Sequence, residues 1–417
     1  MSGDWRQMAF AEAVEINPRR SVVAGATVPY VEMAAVPSAG SSIEYLLQRQ
    51  AGGGGAKFRN GDTLFARITP CAENGKTAFV DCLRANETGL GSTELIVFGP
   101  REGLTDPAYV YHLARSEIVR CPAIAQMVGT TGRARVPNNV FDEIEIALPP
   151  LHEQRRIAEI LSSVDEAIAA TRAVIAQTRK VKQAVLERLL TKGIGHTRFK
   201  QTEIGEIPEG WEVATLGSIT VELEAGVSVN SESRPARTGE YGILKTSCVS
   251  GGFFDPSENK AVLSAERTRV KVPVKADRII ISRMNTPNLV GANGYVEHEL
   301  DDIFLPDRLW QLKTSQHTRW LGAVLAADKT RSRLSDIATG TSGSMKNISK
   351  AKLLELHFAI PPKREQKEIA DVIHQLDAAH RAGEQELLGL ASTKSALMSD
   401  LLTGRRRVTD ALPLAAE

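Results

Sequence analysis

Many side chains in this sequence could do chemistry, but few stand at catalytic spacing. Gly75-Lys76-Thr77 resembles the end of a phosphate-binding loop, but the position that needs the loop's first glycine holds Pro70. Glu258-Asn259-Lys260 has the ExK spacing of metal-dependent nucleases, without an evident upstream acid partner. HExxH, GxSxG and GxGxxG are absent, as is the Asn-Pro-Pro-Tyr/Phe signature of adenine methyltransferases. The eight histidines do not cluster at ligand spacing, and the four cysteines form no CxxC pair. The cysteines are expected to be small buried hydrophobes, and no catalytic or metal site is expected.

The remaining candidates are basic and amide side chains, the types that address nucleic acid. Arg67 and Arg283 each follow a turn and a short apolar strand, in Asn60-Gly61-Asp62-Thr63-Leu64-Phe65-Ala66-Arg67 and Ala276-Asp277-Arg278-Ile279-Ile280-Ile281-Ser282-Arg283. An arginine can meet guanine O6 and N7, or a phosphate, through two parallel N–H donors. Around them lie further candidate DNA contacts: Thr69 and Lys76, then Arg133, Arg135 and Asn138 in an acid-free stretch, and in the second half Asn285, Asn288, Lys346 and Asn347. Residues 264–283 hold six basic residues against two acids, and 329–352 six against one. Net charge is only +1 over 417 residues, so global charge does not mark a nucleic-acid binder. The basic excess sits at 149–200, with 10 basic residues and 5 acids.

These candidates recur because the sequence recurs. Residues 149–192 and 361–404 align without a gap at an offset of 212, with 14 of 44 positions identical. Each copy opens on two prolines, which suit a helix entrance, followed by Glu153 or Glu365 in the first turn, where the macrodipole favours an acid. Apolar residues then follow 4-3 spacing from Ile157 to Leu189 and from Ile369 to Leu401, the seam of a coiled coil. Some 40 residues of helix span about 60 Å, too long to be buried by one small domain, so the two copies are expected to bury their stripes against each other. The roughly 170 intervening residues let the chain return antiparallel. Lys182 and Lys394 interrupt both seams at the same place, either fixing register or laying their stems along the stripe. Gly383 and Gly389 weaken the second helix by about 1 kcal/mol each.

The repeat extends upstream. Gly129-Thr130-Thr131-Gly132 and Gly340-Thr341-Ser342-Gly343 precede the proline pairs, each followed by an alternating strand, and Trp5 and Trp211 stand near the start of each half. The resulting fold class is α+β: two mixed α/β recognition domains separated by two long antiparallel coiled-coil helices, as a pseudo-twofold internal repeat. The expected boundaries are domain 1 at 1–148, helix 1 at 149–192, linker at 193–210, domain 2 at 211–360, helix 2 at 361–404 and a frayed tail at 405–417. Two readers on one spacer suit DNA, whose half-sites are spaced by helical turns of about 34 Å. A protein-binding coiled-coil scaffold, or an enzyme built around Glu258–Lys260, stays open at this level. No apolar run is long enough for a membrane span and no secretory segment opens the chain, which together predict a cytoplasmic protein.

The segments PPLHEQRRIAEIL and PPKREQKEIADVI resemble the shared regions of Type I restriction-modification specificity subunits. So do Phe199-Lys200-Gln201-Thr202-Glu203-Ile204-Gly205-Glu206-Ile207-Pro208-Glu209-Gly210-Trp211 and the strand motif ending at Arg67. The first half keeps only Asp4-Trp5 of that lead-in, and Ala276 stands where the family usually has glycine. The resemblance implies a non-catalytic recognition chain in which each domain reads one half of a gapped site in double-stranded DNA. It implies helices that dock two methyltransferase subunits, for which Glu153, Gln154, Ile157, Glu365, Gln366 and Ile369 are the candidate contacts, and a motor-nuclease restriction subunit that joins them. No cofactor is expected on this chain; S-adenosylmethionine, ATP and Mg would belong to the partners. The DNA-recognition chain of a restriction–methylation enzyme outside Type I is the alternative.

Overall fold

The computed structural model describes residues 5–52, 54–130, 132–342 and 345–408. Asp4, Thr131, Gly343 and the tail beyond residue 408 lie outside the described residues. The chain forms two compact units: the residues up to Ile175 together with those from Ala382 onward, and Ala176–Arg381.

The first unit begins with β1 (Arg6–Ala9), α1 (Phe10–Ala13), β2 (Val14–Ile16), β3 (Thr27–Val31), β4 (Leu47–Gln50), β5 (Ala56–Phe58), β6 (Thr63–Ala66), β7 (Thr77–Phe79), β8 (Gly89–Gly91) and β9 (Leu95–Pro100). Helices α2 (Pro107–Arg115) and α3 (Glu117–Ala125) follow, then β10 (Glu145–Leu148) and the long α4 (Leu151–Lys192). The strands make two four-stranded sheets, β2-β9-β6-β7 and β4-β3-β8-β5, and a pair β1-β10 that closes the domain ahead of α4. The second sheet contains a parallel pair, β3 with β8, at its centre. Phe10, Phe65, Phe98 and Phe141 interlock in the core with ring centroids 5.0–6.0 Å apart, three pairs edge-on, as aromatic quadrupoles prefer, and two tilted.

The second unit contains β11 (Phe199–Thr202) and β12 (Gly205–Pro208), a hairpin within the stretch expected to be a plain linker. It continues with β13 (Glu212–Thr215), α5 (Leu216–Ile219), β14 (Thr220–Ala225), β15 (Gly242–Leu244), β16 (Asn259–Ala261), β17 (Pro273–Val274), β18 (Arg278–Ser282), β19 (Met284–Asn285), β20 (Asn293–Val296), β21 (Leu300–Phe304) and β22 (Leu309–Thr314). Then come α6 (Thr318–Ala326), α7 (Asp328–Ile337), β23 (Thr339–Ser342), β24 (Met345–Asn347), α8 (Lys350–Leu354), β25 (His357–Ile360) and the long α9 (Lys363–Leu401). Its sheets repeat those of the first unit in order and direction: β14-β22-β18-β20, β16-β15-β21-β17 with β15 parallel to β21, and the closing pair β13-β25. The turn before β18 keeps its left-handed residue in the same register without a glycine: Asp277 (φ 51°) takes the place of Gly61 (φ 88°), their N–H groups donating to Val296 O and Val80 O.

The seam forms as its spacing predicts. Every 4-3 position from Ile157 to Leu189 and from Ile369 to Leu401 is buried or half-buried. Within the first unit, α4 runs antiparallel to the end of α9: Ile175 lies beside Gly383, Asp165 beside Lys394 and Glu153 beside Arg407. Gly383 is a close-approach position, where an added Cβ would stand 3.0 Å from Ile175 Cγ1. The second unit has the same antiparallel order, with Lys182 beside Asp377 and Ile194 beside Glu365. The two interrupting lysines therefore each find an aspartate. Lys394 reaches Asp165 at 2.5 Å with side chains 11% and 8% exposed, whereas Lys182 and Asp377 are 31% and 35% exposed. Asp165 and Asp377 are equivalent in the repeat, as are Lys182 and Lys394, so each copy supplies one member of each pair.

Among the described residues no helix is long and apolar enough to cross a membrane. The expectation of four buried cysteines is corrected: Cys248 is buried, but Cys82 and Cys121 are exposed.

Candidate nucleic-acid interface

In each unit the strand that ends in the recurrent arginine runs beside a ribbon from the Gly/Thr-rich segment. In the first unit Val136 N–H donates to Arg67 O at 2.8 Å and Thr69 N–H to Ala134 O at 3.0 Å, with a bridge between Ile68 and Arg135. In the second, Ile348 N–H donates to Arg283 O at 2.9 Å, and β24 pairs with β19 as Met284 opposite Asn347 and Asn285 opposite Lys346. The structure thus brings Arg67 and Thr69 together with Arg133 and Arg135, and Arg283 and Asn285 together with Lys346 and Asn347.

Several of these side chains are used by the protein itself. Arg67 donates to Val136 O at 2.7 Å, Lys76 to Met33 O at 2.9 Å and Lys346 to Ser335 O at 3.0 Å. Their hydrogen bonds brace main-chain carbonyls of neighbouring segments. Arg283 reaches Asn347 Oδ1 at 3.3 Å and lies over the Trp310 ring. Asn285 turns inward to Ser282 Oγ and accepts from Thr286 N–H. The acid-free stretch is not acid-free in space, because Arg135 makes a bidentate pair with Glu94, some 40 residues away in sequence. That guanidinium holds the Glu94 carboxyl below its usual range. Arg133, Asn138 and Asn288 are exposed. Glu258 of the ExK triplet is bound by Lys245 and Ser247, and these contacts hold its carboxyl low. No cluster of three potential metal ligands occurs among the described residues.

The six residues expected to face partner subunits are corrected: Glu153, Gln154, Ile157, Glu365, Gln366 and Ile369 are all buried, at 0–9% exposure, against their own domains. The reason is the number of hydrogen bonds they complete. Gln154 Oε1 accepts from Asp106 N–H at 2.9 Å, while its Nε2 donates to Leu104 O and Pro149 O. Gln366 repeats this with His317 N–H, Gln316 Oε1 and Pro361 O. Each glutamine thereby ties the start of a domain helix to the entrance of a long helix. Glu153 accepts from Trp5 Nε1–H at 3.0 Å, from Arg407 at 2.8 Å and from Val408 N–H at 3.2 Å. Glu365 accepts from Trp211 Nε1–H at 3.0 Å and Ile194 N–H at 2.9 Å, and meets His196 Nε2 at 3.0 Å. Burial raises the Glu153 carboxyl, but the hydrogen bonds from Arg407 and Trp5 outweigh it and hold the group below its usual range. The sequence marked these positions by their repetition, but repetition cannot distinguish an internal joint from a docking surface.

The Type I restriction modification DNA specificity domain matches twice, at residues 25–178 and 208–388, most of the chain. Among curated relatives, the putative Type I restriction enzyme MjaX specificity subunit of Methanocaldococcus jannaschii is 27% identical over 371 residues, covering 85% of this chain and 80% of that one. The EcoEI specificity subunit of Escherichia coli is 22% identical over 482 residues, covering 93% and 81%. The crystal structure of a Type-I restriction-modification S subunit from M. genitalium shares the fold, with TM-score 0.59 at 14% identity and 97% of both chains covered. A chain from a structural study of complex assembly in the type I R-M system aligns with TM-score 0.55 at 20% identity, covering 97% of this chain and 98% of that one. With the domain matched in both halves, beside the same strand–ribbon arrangement in each, the chain belongs to the Type I restriction-modification specificity family.

Proposed function

We propose that this chain supplies DNA sequence specificity without catalysing a reaction, each unit reading one half of a gapped double-stranded site. The observation that carries this is duplication at every level: the same two sheets, the same strand–ribbon pairing and the same helix joint occur once in each unit. A gapped site has two parts to be read, and duplicated readers suit it. Methyltransferase subunits, two of them, and a motor-nuclease subunit would supply the chemistry, together with S-adenosylmethionine, ATP and Mg. With the six joint residues buried, docking of these partners falls to the exposed faces of α4 and α9. Arg133, Asn138 and Asn288, exposed as they are, serve best as direct DNA contacts, while Arg67, Thr69, Lys76, Arg135, Arg283, Asn285, Lys346 and Asn347 shape the surface around them.

The test is the adenine methylome of the host with and without this chain, read by single-molecule sequencing. A two-part methylated motif that disappears on deletion is expected. An unchanged methylome, with no methyltransferase copurifying, would point to a protein scaffold instead. Replacing residues 1–148 with another reader should change one half-site alone. Lengthening α4 and α9 by matched turns should change the gap, and an unchanged gap would remove the helices from that role.

A further inference from the structure

Eight cations lie over aromatic rings among the described residues, and six of them also reach a protein acceptor. Arg115 meets Gly40 O, Lys192 meets Glu206, Arg283 meets Asn347, Arg319 meets Glu297, Arg333 meets His357 O and Arg407 meets Glu153. The two exceptions are Arg49, 4.8 Å above Tyr30, and Arg267, 5.4 Å above Tyr241. There is one in each unit: Arg49 and Tyr30 stand on adjacent strands of the sheet built around the parallel pair, and Tyr241 and Arg267 flank β15 and β16 of the corresponding sheet. Both arginines are exposed, and each tyrosine is half-buried.

The local structure explains the first pair. β4 is the edge strand of its sheet, and all four of its residues, Leu47, Gln48, Arg49 and Gln50, are exposed. Arg49 pairs with Val28, and Leu47 with Tyr30, so Arg49 is the diagonal neighbour of Tyr30 across the ribbon. In the second unit Tyr241 directly precedes β15, its ring 5.0 Å from Phe304, and Arg267 comes from the turn of 3₁₀ helix at Ser264–Arg269 that follows β16. Stacking fixes the plane of a guanidinium and leaves its N–H fork free along the edge. Such a group is preorganised for a pair of acceptors that the protein does not provide. The edge strand also bears Gln48 and Gln50 beside Arg49, side chains of the donor types that base edges accept.

We propose that Arg49 and Arg267, one in each unit, are DNA-contacting residues, each held over its tyrosine so that the fork meets two acceptor atoms of DNA in its own half-site. The acceptors are guanine O6 and N7, or two oxygens of one phosphate. This rests on the DNA-reading function proposed above.

The test uses the full chain coexpressed with the host methyltransferase, as wild type and as Arg49→Lys, Arg49→Ala, Arg267→Lys, Arg267→Ala and Tyr30→Leu. Methylated motifs and the salt dependence of DNA binding are read. Relaxation at one base position, in one half-site for Arg49 and in the other for Arg267, identifies a guanine contact, with about 5- to 150-fold lost discrimination at that position. Weakening on all sequences, with a salt slope smaller by about 1, identifies a phosphate contact. Lysine should fail almost as badly as alanine at a guanine, because it keeps the charge but loses the fork. Tyr30→Leu should shift the same position as Arg49→Ala, by less. An unchanged motif and affinity in the arginine variants, with wild type still specific, overturns the proposal and leaves the DNA-reading function standing. A wild type with no sequence preference overturns that function itself. The substituted arginines are exposed, so an unchanged unfolding midpoint checks that the fold is intact.

Discussion

The two units hold their long helices by the same device made of different parts. In each, a tryptophan indole and a main-chain N–H from the exit of the other long helix converge on a buried glutamate at a helix entrance. The first unit adds Arg407, a permanent cation lying over the Trp5 ring. The second adds His196, edge-on to Trp211, a side chain that is charged only when protonated. The exchanged Lys–Asp pairs differ in the same way, being buried in the first unit and about one-third exposed in the second. The first unit thus relies on buried charge, the second on a fully buried tryptophan. The two halves should therefore fail under different insults, although their sequences are repeats.

The largest effect should come from Trp211→Ala. This indole is 1% exposed, whereas Trp5 is half-buried, so about 4 kcal/mol is expected for the former and roughly half that for Trp5→Ala. Hydrogen exchange resolved by unit should show protection lost first in residues 176–381 for Trp211→Ala; equal losses in both variants would erase the contrast. Next, Lys394→Ala should cost about 3 kcal/mol in urea unfolding, because it strands the buried Asp165 carboxylate. Replacing both partners, as Asp165→Leu with Lys394→Met, should return most of that stability.

Acid should sharpen the difference. Burial, with Lys394 and Arg115 nearby, pushes the His112 imidazole down to about 3. Its folded value lies below that of an unfolded histidine, near 6.5. The stability it supports is therefore complete above about pH 6.5 and declines as pH falls toward 3, by about 2 kcal/mol at pH 5. The matching position in α6 is Ala323, which does not titrate. His112→Gln should flatten the stability profile between pH 7 and 5, and an unchanged slope would assign the acid sensitivity elsewhere. The smallest effect belongs to Lys182→Ala, below about 1 kcal/mol, since its pair with Asp377 is partly solvated.

What the sequence disclosed follows from the range of the signals. The seam was legible because 4-3 spacing is local, and every seam position is buried or half-buried. Lys182 and Lys394 were visible as interruptions, but their partners were not, because Asp165 and Asp377 fall just outside the stripe of the opposite copy. The sheets were only half legible. Strands as short as β8 and β15, three residues each, carry no periodicity, and their parallel pairings join segments some 60 residues apart. Among candidate contacts, recurrence located Arg67 and Arg283 correctly at equivalent strand exits. Composition misjudged Arg135, because Glu94 arrives from a distant turn. The pairing of Arg49 with Tyr30 has no sequence signal, since the diagonal contact exists only once the ribbon is in register.

The joint at Gln154 and Gln366 has a consequence for what the genetic code permits there. Each position needs one acceptor and two donors at the end of a two-carbon stem. Glutamate has the shape without the donors, asparagine the donors without the reach, and lysine donors without an acceptor. Methionine fills the volume and leaves a main-chain N–H and carbonyls stranded inside. No other encoded side chain completes these three bonds, so random mutagenesis of either codon should return glutamine alone wherever the helix must stay fastened to its domain.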